Sequence, residues 1–536
     1  TPVAGRPLAN LSLALDLARA GLQPAAFHAT NLLLHLLVAL LGWATLKGTL
    51  ALERMPEGVR ARAPALALAA ALLFAVHPMN VEIVLYATQR TESLAALAYL
   101  GALYLLLRAA EQGSPRLWPF MALVGLAGVA SKEVFATAPV VLLFFDRAFV
   151  AGSFRRALGE RKALHLALAL CWLALAWLQI EDTRPGSVRF AELDYLLAQS
   201  RIIPEYLLTA LWPAHPVPDY GPLVPASASG AWPWLCALGL VVLGLAALAF
   251  THPRAGFIGV WVLVILAPSS SLFSIHTEIG AERRFYLPLL GLSAGLVLAG
   301  DALLRLAARR RGQSSRIATG LGVGILIAAA ALLAARARNH AAVFGDARRL
   351  WTEAVRARPK NPRAHYNLGE TLRQQGELGS AETELRKALA LHKGYADAYS
   401  TLGGVLLGLG REQEALEHIE RAVALAPDDP RTRFNYGLAL GRAGRIAESA
   451  RELNAAVRLD PGQVAARRKL GFALGELGRI DQARAQVDWL LERDPEDGPA
   501  RALLRWLQAQ ERARSRPQAG GDPGGDPAGD REAAGP

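Results

Sequence analysis

Four short stretches gather charged or titratable side chains inside an otherwise apolar sequence. RPLANLSLALDLARAGLQPAAFHATNLLLH places His28, Asn31 and His35 at i, i+3 and i+7, on one face of a helix. HPMNVEIVLYATQRTES carries His77, Glu82, Arg90 and Glu92. SKEVFATAPVVLLFFD opens on Lys132 and Glu133 and then turns apolar, and IHTEIGAERRFYLP holds His276, Glu278, Glu282, Arg283, Arg284 and Tyr286. A charge beside lipid is costly unless it faces a cavity or has a partner. Acid, imidazole and guanidinium groups converging at one surface suit an anionic ligand such as a lipid phosphate. Taken singly, each stretch also fits a helix cap or an interfacial anchor, and the His28, Asn31 and His35 stripe fits a hydrogen-bonded helix contact. A zinc site lacks a third ligand at suitable spacing.

The elements that must position these residues are membrane helices. The chain has 536 residues, 52% hydrophobic and 19% charged, too apolar for a soluble protein of this size and too charged for a membrane protein throughout. The two characters separate near residue 336. Before it, apolar runs lie at about 28–46, 64–76, 93–108, 117–130, 134–149, 163–180, 233–250, 255–272, 285–304 and 317–335, about ten spans, several of them short. Alternate loops are richer in Lys and Arg, among them Arg155, Arg156, Arg161 and Lys162, and Arg309, Arg310 and Arg311. Those loops are expected to be cytoplasmic, which puts all four polar stretches, and everything after 336, on the outer face. YLLAQSRIIPEYLLTALW, at 195–212, is expected along the interface. The net charge of +12 then reflects anchoring loops and not a nucleic-acid partner. Cys171 and Cys236, the two cysteines, both lie in apolar runs, so neither a disulfide framework nor a cysteine metal site is indicated. The opening TPVAGRPLANLSLALD reads like the middle of a domain, and an upstream segment is expected.

From 337 the sequence repeats every 34 residues. Gly369, Gly403, Gly437 and Gly471 keep that spacing, as do Pro427, Pro461 and Pro495, with Pro359 on the same frame. Ala347, Ala381 and Ala415 hold another position, which Ser449 breaks before Ala483 restores it. Two helices joined by a Gly-containing turn, stacked in series, make a concave surface suited to peptides or partner proteins. FGDARRLWTEAVRARPKNP reads as the second helix of a half repeat, and a helix near 499–514 as the far cap. Residues 516–536, rich in Gly, Pro and Asp, are expected to be disordered. The repeat strongly resembles the tetratricopeptide repeat.

The ordered set RPLANLSLALD, FHATNLLLHLL, HPMNVE followed by QR, SKEVFATAPVVLLFFD and AERRFYLP, succeeded by these repeats, resembles the transmembrane and tetratricopeptide repeat-containing O-mannosyltransferases and their bacterial relatives, over about residues 5–510. The resemblance implies an all-α chain: a polytopic, GT-C-like membrane bundle (1–336), a tetratricopeptide α-solenoid (337–515) and the tail (516–536). It implies transfer of a sugar from a polyprenyl-phosphate carrier on the non-cytoplasmic face; characterised eukaryotic relatives move mannose onto Ser or Thr hydroxyls. The family's acidic catalytic motif and first span lie upstream of residue 1, so no catalytic base is named. A departing phosphate needs its developing charge stabilised, and Arg90, Lys132, Arg283 and Arg284 are the candidates for that role. Glu82, Glu133 and Glu282 are expected to orient the cations, and His28 and His77 to hold sugar or phosphate, with Asn31, His35, Glu278 and Tyr286 completing the polar site. No metal ligand and no cofactor beyond the lipid-linked sugar is assigned, and metal dependence is left open. Expected partners are the membrane, the lipid-linked sugar and an acceptor or partner protein in the repeat groove. The Ala- and Arg-rich composition points to a bacterial inner membrane with the repeats in the periplasm. The competing reading is a non-catalytic, membrane-anchored repeat scaffold for an envelope complex. A transporter fits less well, since no inverted repeat is visible.

Overall fold

A computed structural model describes residues 6–112, 115–175, 193–213, 217–221, 228–268, 270 and 279–515. The described residues outside loops are helical, and the chain divides into two compact units, Thr1–Ala364 and His365–Pro536. The half-repeat helix Ala347–Ala357 therefore falls in the first unit.

In that unit the apolar runs fold as helices because lipid-length stretches of Leu, Ala and Val satisfy every backbone group internally. Among the described residues six helices are long and apolar enough to cross a membrane: Pro24–Ala51, Ala87–Gln112, Glu133–Ala151, Trp232–Thr251, Glu282–Arg310 and Ser315–Phe344. A seventh candidate is a broken pair, Ala63–Ala75 and Pro78–Leu85, bent by 58°. Its break has a local cause. Pro78 has no N–H to continue the ladder, and His77 adopts extended backbone and caps the next turn by accepting from Met79 N. The runs expected at 117–130 and 255–272 form shorter apolar helices, Trp118–Val129 and Pro253–Ala267. The run expected at 163–180 falls on Phe154–Ala169, a turn at Leu170 and a further helical stretch at 171–175, and its last five residues lie outside the described residues. Leu193–Leu211 is one continuous helix. It buries Tyr195, Gln199, Ile202 and Tyr206 and exposes Leu208 and Leu211.

Small residues bring the spans together. A Cβ on Gly42 would meet Leu290 at 2.9 Å, and one on Gly291 would meet the Trp261 ring at 2.3 Å. These contacts lock Pro24–Ala51 and Pro253–Ala267 onto Tyr286–Arg310 by the close approach that packs helices in lipid. The core they surround is aromatic, with Phe74, Tyr99, Phe135, Phe285 and Tyr286 all buried.

The second unit is a solenoid of helix pairs. The pairs are Pro362–Gln374 with Leu378–Leu391, Ala396–Gly408 with Glu412–Leu425, Pro430–Arg442 with Ile446–Leu459, and Val464–Glu476 with Ile480–Arg493. Gly498–Ser515 follows them. Two glycine registers recur, for different reasons. Gly403 and Gly437 sit where a Cβ would strike Ile419 at 2.2 Å and Leu453 at 2.6 Å, so they allow the two helices of a pair to touch. Gly376, Gly410, Gly444 and Gly478 carry φ between +74° and +81° and reverse the chain between helices, a conformation that favours glycine. Ser449 fits the alanine position because its hydroxyl donates to Gly437 O at 2.6 Å.

Candidate active site

The site is built on the first turns of helices. Glu82, Glu92, Glu133 and Glu282 each lie in the first turn of their element, where exposed N–H groups favour a carboxylate. Lys132, with extended backbone, precedes the Glu133–Thr137 turn. The Lys132 and Glu133 pair starts a helical turn without a side-chain cap.

Each acid has a partner from a distant part of the chain. Lys132 pairs with Glu92, Arg283 with Glu82, and Arg6 with both oxygens of Glu133 at 3.0 and 3.1 Å. Glu282 accepts from Val217 N at 2.7 Å. Arg284 donates to Ile279 O at 3.2 Å and reaches Tyr195 Oη at 3.4 Å.

Arg90 is the hub, and it is fully buried. It donates to Asp16 Oδ2 at 2.7 Å, to Asn31 Oδ1 at 3.1 Å and to Ser12 O at 2.9 Å, and lies over the Phe27 ring. Longer contacts from Nη1 to Ser12 Oγ at 3.3 Å and from Nη2 to Phe27 O at 3.5 Å engage the remaining two of its five donors, which leaves none for a ligand. The phosphate contact expected of Arg90 is replaced here by a positioning role. It pins the Pro7–Ala20 and Pro24–Ala51 helices to the start of Arg90–Gln112. Asn31 extends the pin, donating to Tyr86 O at 2.9 Å.

Asp16 is the residue the sequence reading passed over, although it ends the quoted RPLANLSLALD. Burial raises its carboxyl pKa, but bonds from Arg90 and Thr30 and the charges of Arg90 and Arg19 outweigh that and hold it below the usual aspartate value. A lone carboxylate among apolar residues was the available signal.

The histidines divide. His35 is buried, with Nδ1 2.8 Å from Tyr286 Oη and Nε2 3.0 Å from Ala75 O. The carbonyl can only accept, so Nε2 carries the proton and Nδ1 accepts from the tyrosine. His77 is likewise taken, by Ala210 O at 3.1 Å and by Met79 N. Both rings fasten helices, and the ligand-holding role expected of His77 finds no open nitrogen. His28 is half-buried and makes no side-chain hydrogen bond among the described residues. Glu278, like His276, lies outside the described residues. Among the described residues no group of three His, Cys, Asp or Glu side chains is placed to hold a metal ion.

The layer therefore joins Arg6, Asp16, Asn31, Glu82, Arg90, Glu92, Lys132, Glu133 and Arg283 through ion pairs, hydrogen bonds and short chain links. Its chemistry is that of paired, partly desolvated cations, which is what a phosphate in a low-dielectric setting needs.

Comparison with known proteins adds a direction. Tetratricopeptide-repeat families match residues 361–428, 400–464 and 442–507. Protein O-mannosyl-transferase TMTC4 of Mus musculus is 26% identical over 430 residues, covering 70% of this chain and 56% of that protein. The chain is a distant relative of such transferases. Protein O-mannosyl-transferase TMTC1 of Homo sapiens is 25% identical over 457 residues, 74% of this chain and 49% of the relative. Tmtc3 of Drosophila melanogaster is 24% identical over 492 residues, 79% and 52%. The chain thus spans about half the length of the curated relatives it matches. Among solved structures, YrrB, described as a tetratricopeptide-repeat protein with an unusual peptide-binding site, is 21% identical; the match covers 38% of this chain and 97% of YrrB, with a TM-score of 0.26.

Proposed function

We propose that this chain is a membrane glycosyltransferase. It moves a sugar, mannose or a similar hexose, from a polyprenyl-phosphate carrier to a protein hydroxyl, and its repeats bind the acceptor or a partner protein. The observation that carries the reading is the largely buried layer of acid–cation pairs on helix first turns, its outer pairs partly exposed, in a chain distantly similar to O-mannosyl-transferases along most of its length. In the reaction the acceptor oxygen bonds to the anomeric carbon as the carbon–oxygen bond to phosphate breaks, and the hydroxyl proton passes to a base. Arg283, Arg284 and Lys132 are placed to stabilise the charge that develops on the leaving phosphate, with Glu82 and Glu92 orienting the cations. No base is assigned to a residue of this chain. By the distribution of basic loops the reaction face is the outer one, the periplasmic side of a bacterial inner membrane.

One observation favours a second reading. Arg90, Lys132 and Arg283 all have carboxylate partners, which a purely structural layer would also show, and the chain would then be an anchored repeat scaffold for an envelope complex. A transfer assay separates the two. Native membranes containing the protein are supplied with radiolabelled polyprenyl-phosphate sugars and periplasmic extract. Label on protein that disappears with Arg283→Ala supports the transferase; no label with any donor, alongside partner capture by the repeats, supports the scaffold.

A further inference from the structure

A cavity of about 820 Å³ lies within the first unit and shares with the pairs described above only Val217, whose N–H reaches Glu282. Its walls are Leu193–Leu211 with the segment after it, the last turns of Ser315–Phe344, and Ala347–Arg358. Four arginines line it, Arg336, Arg349, Arg356 and Arg358, against two carboxylates, Glu205 and Glu353. Both carboxylates are already paired, Glu205 with Arg358 and Glu353 with Arg356. Arg336 and Arg349 have no carboxylate partner among the described residues, so among those residues two positive charges of the cavity are uncompensated.

Two further facts point to an anionic guest. Arg336 Nη1 and Arg358 Nε are buried without a hydrogen-bond partner among the described residues, a costly arrangement unless something accepts from them. Their guanidinium groups are held by aromatic faces, Arg336 4.7 Å from the Trp212 ring and Arg358 4.8 Å from Tyr220. Such stacking fixes the planar groups; with both Arg358 Nη groups on Glu205, the N–H groups left for an oxyanion include Arg336 Nη1 and Arg358 Nε.

Position selects the kind of anion. Arg336 is the first charge after the apolar run 317–335, so it sits where a span ends and lipid headgroups begin. Beside it Leu208, Leu211 and Trp212 are 65%, 52% and 63% exposed, an apolar shelf next to the charged pocket. A ligand matching both features carries a phosphate and an apolar tail. We propose that this cavity binds the phosphate headgroup of a membrane lipid through Arg336, Arg349 and the free edge of Arg358. The carrier lipid and a bulk anionic phospholipid share this chemistry. The inference rests on the membrane reading of the bundle, and its test does not depend on transfer.

The test uses the whole protein in detergent and native mass spectrometry of retained lipid. The probes are phosphatidylglycerol and polyprenyl phosphate, with diacylglycerol as the phosphate-free control. The wild-type protein is expected to retain one phosphate lipid and not diacylglycerol. Arg336→Gln with Arg349→Gln is expected to lower retention by about tenfold or more, from lost charge-assisted bonds. Because that double variant could fold poorly, Glu205→Gln is the second arm; it releases Arg358 and is expected to raise retention. Retention of polyprenyl phosphate alone assigns the site to the carrier, and retention of phosphatidylglycerol assigns it to bulk lipid. Equal retention in all variants, equal binding of diacylglycerol, or binding of an acidic peptide in place of either lipid would overturn the proposal. Lipid retention without transfer would count against the transferase reading alone.

Discussion

The two units use the same ionic chemistry in opposite settings. In the bundle, Arg90 and Asp16 pair with side chains 0% and 6% exposed. In the solenoid, Arg431 and Asp397 pair with side chains 68% and 44% exposed. Removing one partner of a buried pair strands a charge in low dielectric, while an exposed pair exchanges protein contacts for water at little cost. Close glycine contacts pack helices in both units, but loss of a charge is expected to cost the bundle far more than the solenoid surface.

The sharpest way to break this contrast is Asp16→Ala, which leaves Arg90 buried and unpaired. The first unit is expected to lose about 3–5 kcal/mol, seen as a collapse of its thermal transition in detergent while the repeat transition stays in place. An unchanged bundle transition would contradict the hub role of Arg90. Next in size is Gly403→Val, whose added atoms meet Ile419. It should cost the solenoid about 1–3 kcal/mol by overpacking, leaving the bundle transition where it was; a loss confined to the bundle would reverse the assignment. Acid sharpens the same comparison without mutation. Asp16 has a folded pKa below its ordinary value of 3.8, so its stabilising contribution is complete above that value and disappears as pH falls through the lowered one. Bundle stability should therefore fall more steeply below pH 3.8 in the wild-type protein than in Asp16→Asn, measured by denaturation across that range. Smallest of all is Arg445→Gln on the solenoid surface, where Arg445 pairs with Glu448 three residues on. No resolvable change in melting temperature is expected, and a clear drop would show that surface pairs hold the solenoid together.

What was legible in the sequence follows from range. Helix periodicity and a 34-residue repeat are local, so the apolar runs appear as helices and the spaced glycines mark helix contacts. The spacing could also be counted for Gly376, Gly410, Gly444 and Gly478, but only the backbone shows that these reverse the chain. Ser449 looked like a break in the alanine pattern until its bond to Gly437 O explained it. The site was legible as an inventory and not as a circuit. Arg90 finds Asp16 across 74 residues and Arg283 finds Glu82 across 201, and no local pattern reports such pairings. For the same reason the arginines around the 820 Å³ cavity drew no notice, since 336, 349 and 358 share no helical face in the sequence.

The central proposal is that transfer chemistry belongs to the partly buried polar layer of the bundle and acceptor choice to the repeats. The most direct measurement is protein labelling by polyprenyl-phosphate sugar in membranes carrying either Arg283→Gln or a groove variant, Tyr366→Ala with Asn435→Ala, two residues that line a pocket of about 380 Å³ in the repeats, compared with the wild-type protein. The account predicts that Arg283→Gln abolishes labelling of every acceptor, while the groove variant changes which proteins are labelled and keeps the donor consumed. Full labelling by Arg283→Gln, or loss of all labelling in the groove variant alone, would contradict it.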